Sequence, residues 1–134
     1  MGVFSGKRPD RLGWHDGKWK PCAWMPNCVN STAAVNDAQH HIEPLHFSGD
    51  AAGAWKRLTA LIAQHERVNL VRQDNAYLYA ELKSRGMGYV DDVEFALDAA
   101  AGLIQMRSAS RLGVRDFGVN RARLESLRAA FAEA

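Results

Sequence analysis

Residues 90–110 read VDDVEFALDAAAGLIQMRSAS. In the first half, Val93, Phe95 and Leu97 alternate with Asp92, Glu94, Ala96 and Asp98, the period of a strand with one apolar surface. The AAAG stretch turns the chain into LIQMRSAS, a second strand, and the hairpin lays an acidic strand beside the one that carries Arg107. Opposite charges then meet across strands.

Working outward, RVNLVRQD and AYLYAELKS read as two more strands, joined at Asp74-Asn75, a pair that favours a turn. Upstream, SGDAAGAWKRLTALIAQHE offers Ser48 or Asp50 as a cap and places Trp55, Leu58, Leu61 and Ile62 on one side at helical spacing. HHIEPLHF reads as an edge strand limited by Pro44. At the C-terminal end, VNRARLESLRAAFAEA puts Val119, Leu124, Leu127 and Phe131 on one side of a second helix, with Asn120 as its cap and Arg121 and Glu125 as an i,i+4 pair. Residues 1–35 are rich in Gly, Pro, Asn, Trp and Lys and follow neither period, so they form an irregular arm. Trp14, Trp19 and Trp24 predict that this arm packs down on a single domain spanning 36–134. The expected fold is α+β: an antiparallel sheet of about four to five strands with two amphipathic helices on one face and an irregular N-terminal arm.

A chain of 134 residues suits one domain with a real core. With 47% apolar and 24% charged residues it reads as a soluble globular protein. No run approaches the roughly 18 apolar residues of a membrane span. Charge and turn residues fill the N-terminus where a secretory signal needs an apolar centre, so the expected location is cytoplasmic. The formal charge of +2 is too balanced to predict nucleic-acid binding. Its distribution is less even: between Arg107 and Arg128 six arginines stand against Asp116 and Glu125.

That arginine-rich segment holds the first candidate site. Gly113 and Gly118 permit sharp turns around Asp116, and Arg107, Arg111, Arg121 and Arg123 lie near Asn120 at a helix start. Guanidinium groups in such numbers suit a phosphate or carboxylate ligand, held by Arg107, Arg111, Asp116, Asn120, Arg121 and Arg123. They equally suit an internal network with Asp91, Asp92, Glu94 and Asp116. An enzyme reading takes Asp92 or Glu94 as general base, with the arginines holding a phosphate or carboxylate. Ser108 and Ser110 are weaker catalytic candidates, since no nucleophile elbow surrounds them. His40, His41, Glu43 and His46 are possible metal ligands, yet their spacing matches no standard zinc arrangement. Cys22 and Cys28, six apart, form a disulfide under oxidising conditions or remain packed thiols in the cytoplasm. No cofactor is expected.

The segments GKRPDRLG, PNCVNS, HIEPL, YVDDVEF and RSASRLGVRDFGVNRAR resemble, in that order, the bacterial and chloroplast family called domain of unknown function 1499. The last motif is the most specific. By resemblance the family pattern falls on Pro26, Asn27 and Cys28, on Asp91, Asp92 and Glu94, and on 107–111, Gly113, Asp116, Gly118, Asn120, Arg121 and Arg123. Relatives tend to read C-P-x-S-P-N-C-V-S-S in the arm, whereas here Ala23-Trp24-Met25 follows Cys22 and Asn30 stands where a serine is usual. The family name implies no activity. The residues themselves predict a non-enzymatic module that binds a small anionic ligand or a protein partner. A hydrolase is the alternative, and an accessory subunit of a larger assembly, suggested by the tryptophan-rich arm, is the second alternative.

Overall fold

A computed structural model describes residues 7–10, 12–83, 89–113 and 118–134. Six strands pair in one sheet: β1 (Cys28–Asn30), β2 (Leu45–His46), β3 (Val68–Gln73), β4 (Tyr77–Lys83), β5 (Val90–Asp98) and β6 (Leu103–Ser110). The order is β1-β6-β5-β4-β3, with β2 sharing the β1 side of β6, and every pairing is antiparallel. The helices are α1 (Ala51–Ala63) and α2 (Val119–Glu133).

Two expectations need correction. The sheet has six strands because β1 lies inside the stretch read as irregular, where three residues pair with β6 too briefly to show a period. In HHIEPLHF only Leu45 and His46 are in a strand, since Pro44 cannot donate to the ladder and His41 makes one isolated bridge to Asn30. Of the two helix starts, that of α1 agrees with expectation and that of α2 does not. Asp50 caps α1, its Oδ2 accepting from the Gly53 N–H at 3.0 Å. The residue before α2 is Gly118, at φ 81°, a left-handed conformation that glycine adopts freely; Asn120 is the second residue of the helix and not at the cap position.

Strand alternation gives the sheet two unlike surfaces. Leu78, Ala80 and Leu82 of β4, Val93 and Phe95 of β5, and Ile104 and Met106 of β6 point one way and join Trp55, Leu58 and Ile62 of α1 with Leu124 and Phe131 of α2 in one core. Each such fully buried side chain contributes about 1.5–3 kcal/mol relative to exposure. α1 lies against β3, and α2 against β6 and β1, so the two helices sit over opposite ends of the sheet.

The opposite surface is polar and is also buried. Register places Tyr79, Glu94, Arg107 and Asn30 in one row across four strands, and Glu81 opposite Asp92 in the next. The acidic side of β5 is therefore no solvated face: Asp92 and Glu94 are 1% and 0% exposed. The arm covers them. Trp19 is buried, packs edge-on to Trp14 with ring centroids 4.8 Å apart, and donates its indole N–H to Ser31 Oγ at 3.2 Å. Trp24 breaks the expectation for the arm: it is 77% exposed, at the tip of a loop closed by a Cys22–Cys28 disulfide.

Candidate functional site

The two surfaces of the sheet each carry a polar network, and the arginine-rich segment feeds both. Under the arm, Arg111 donates from Nε and Nη2 to the two oxygens of Asp92 at 2.9 and 2.8 Å. Its Nη2 also meets Glu81 and, at 3.2 Å, the Tyr79 hydroxyl. Tyr79 in turn donates to Asp92. The hydrogen bond to Asp92 comes first among the causes that hold the Arg111 guanidinium charged well above its ordinary range. Burial pushes the Glu81 carboxyl up, but hydrogen bonds from Asn69, Arg111 and Arg8 outweigh it and leave the group below its usual value.

Glu94 is held differently. Its Oε2 accepts from the Gly13 backbone N–H and from the Tyr77 hydroxyl, both at 2.6 Å. Gly13 makes this approach at φ 119°, which a side chain would strain. Among the described residues Oε1 has no hydrogen-bond partner, and Arg107 Nη1 stands 4.0 Å from it. Arg107 spends its Nε–H on the Lys20 carbonyl at 2.9 Å. Burial raises the Glu94 carboxyl pKa and lowers that of Arg107. Burial also comes first in raising the Tyr77 and Tyr79 phenols, with the neighbouring carboxylates adding to it.

On the helix side, Arg123 pairs with Asp91 at 2.8 Å and faces Ser108 Oγ and Asn120 Oδ1 at 3.3 and 3.1 Å. Ser108 donates to Asn120 Oδ1, while Asn120 Nδ2 donates to Ser110 Oγ at 2.9 Å and to the Asn27 carbonyl at 3.2 Å. The two serines thus fasten α2 to β6, with no histidine in either set of contacts. Arg121 is remote from both networks and donates to the carbonyls of Ala38, Gln39 and His41, at 3.2, 3.4 and 2.8 Å. Asp116 lies outside the described residues.

The four histidine-region candidates do not converge. His40 engages Asp37, Gln39 and the Met25 carbonyl, whereas His41 meets Glu43 at 3.1 Å and His46 is exposed. Among the described residues no group of three or more His, Cys, Asp or Glu side chains can hold a metal ion.

Sequence reading did not single out Tyr77, Tyr79, Glu81 or Gly13 as partners in the polar surface. The alternation in AYLYAEL already puts both tyrosines and Glu81 on one side of β4, so that signal was present. Gly13 carried none, because its role arises from a contact 81 residues distant.

A different feature was also invisible: a groove of about 520 Å³ between α1, α2 and the sheet. Leu61 and Ile62 of α1, Leu82 and Phe95 of the sheet, and Leu124 and Leu127 of α2 form its apolar wall, with His65 and Arg123 also lining it.

The fold and these networks define a small α+β module in which Asp92, Glu94, Arg107 and Arg111 are turned inward. The chain belongs to the family described as Protein of unknown function (DUF1499), whose pattern matches residues 18–131. No curated protein and no solved structure matches it. Among the described residues, no helix is long and apolar enough to cross a membrane.

Proposed function

We propose that this protein is a non-catalytic binding module and that its ligand enters the groove between α1, α2 and the sheet rather than the arginine-rich segment. One observation carries the reading: Arg107, Arg111, Arg121 and Arg123 all have internal partners, while the groove presents an apolar wall and an open mouth. Its volume lies within the range of about 300–1,000 Å³ common to ligand pockets. The arginine-rich segment then acts as a polar lock that joins β6, α2 and the arm.

The hydrolase reading finds less support. Asp92 is committed to Tyr79 and Arg111, and Glu94 lies beneath the arm with Gly13 and Tyr77 on its Oε2. Neither carboxylate faces solvent from which a substrate would arrive.

Thermal unfolding across a panel of aliphatic compounds, phosphates, short carboxylates and metal ions tests the proposal, because a ligand that prefers the folded state raises stability. Aliphatic compounds are expected to stabilise the protein, and Ser126→Trp, on the groove lining, to abolish the effect. Stabilisation by phosphate alone, unaffected by Ser126→Trp, would overturn it.

Trp24 favours a second reading, an accessory subunit of a larger assembly. A tryptophan held 77% exposed on a disulfide-closed loop is a preorganised anchor of the kind enriched at interface hot spots. A photo-crosslinker placed at position 24 in the native cell is expected to give one discrete adduct that the same probe at exposed Lys83 does not. Equal or absent labelling at both positions counts against it.

A further inference from the structure

We infer that the groove ligand is an aliphatic monocarboxylate, with its chain against the apolar wall and its head group at His65 and Arg123. This rests on the groove being the binding site. His65 and Arg123 are the ionisable residues of the lining, and among the described residues no carboxylate lines it. A cationic ligand therefore meets no counter-charge from these residues.

The donors at that end are incompletely used. Arg123 contacts Asp91 through Nη2, and Ser108 and Asn120 through Nη1, so among the described residues its Nε–H carries no hydrogen bond. His65 Nδ1 accepts from the Arg67 backbone N–H at 3.4 Å, which leaves the proton of the neutral ring on Nε2 as a donor. His65 and Arg123 line the same groove, and burial first, then the positive charges of Arg123 and Arg67, hold the His65 pKa below its ordinary value. Asp91 offsets part of the Arg123 charge without being among the lining residues. An apolar wall with two donors on its lining suits an amphiphile with an accepting head group.

Calorimetric titration of the full chain near neutral pH separates the head group from the chain. The probes are decanoate, decan-1-ol and decyltrimethylammonium, each kept below its micelle concentration. Decanoate is expected to bind at least about tenfold more tightly than decan-1-ol, the size of one charge-assisted hydrogen bond. His65→Gln and Arg123→Gln should each reduce this preference, weakening decanoate more than decan-1-ol. His65 is exposed and outside the hydrophobic core cluster, so that variant decides the matter if Arg123→Gln fails to fold. Equal affinity for decanoate and decan-1-ol, or preference for the cation, overturns the carboxylate assignment and leaves the groove intact as a site. Absence of binding by all three overturns both.

Discussion

Glu94 is the residue whose environment is most at odds with its chemistry. A fully buried carboxyl receives two hydrogen bonds on one oxygen and none on the other, with its cation at the limit of an ion pair. Burial of an ionised carboxylate is costly unless it is paired. Because burial raises its pKa above the ordinary 4.5, the folded protein binds this proton more tightly than the unfolded chain does. The associated stability is present below the unfolded value and is lost as pH rises through the folded one. Urea unfolding should therefore show wild type gaining on Glu94→Gln as pH falls from about 7 toward 4.5. A constant difference would show that Glu94 titrates as it does in the unfolded chain. Arg107→Ala removes the nearest compensating charge and is expected to cost about 3–5 kcal/mol at neutral pH.

At the scale of elements, the arm behaves as part of the domain. It contributes a strand to the sheet, the Gly13 N–H to Glu94 and the Lys20 carbonyl to Arg107, and the disulfide ties Cys22 to the first residue of β1. A Cys22→Ser/Cys28→Ser double variant should lose about 2 kcal/mol, the low end of the range because the closed loop is short. Thermal unfolding measures this, and thiol titration of native and denatured wild type should find no free thiol. Disulfides persist in oxidising compartments and are rare in the cytosol.

The same scale explains what was legible beforehand. β3 to β6 and both helices followed from period and turn chemistry, since apolar Val93 and Phe95 alternate with acidic Asp92 and Glu94, and Trp55, Leu58 and Ile62 recur at helical spacing. β1 was hidden because its three residues are all buried, on both sides of the strand, and alternate in nothing. The charge pairing of β5 with β6 was readable from Glu94 and Arg107; that the arm would seal it was not, because Gly13 and Lys20 act through backbone groups that every residue shares.

For the whole molecule, the decisive contrast is between a charged surface buried beneath the arm and an apolar groove between the two helices and the sheet. Leu124 stands at their boundary: it is fully buried, belongs to the core and lines the groove. Leu124→Ala should destabilise the fold by about 2–5 kcal/mol, read from urea unfolding, while enlarging the space available to a ligand. Tighter binding of a bulkier aliphatic probe to this variant, despite its lower stability, would separate the groove's role in recognition from its role in packing. A cost below about 1 kcal/mol would mean that the helices close over the lost volume.

The edge-to-face contact of Trp14 with Trp19 has an optical meaning. Two indoles at 4.8 Å and 71° couple their electronic transitions and give circular dichroism a paired signal that isolated tryptophans lack. Trp55, in the core with α1, reports on the fold separately through its emission. The arm thus carries a coupled pair, Trp14 and Trp19, beside the exposed Trp24, and the body carries Trp55, so loss of the paired signal reports detachment of the arm without any label.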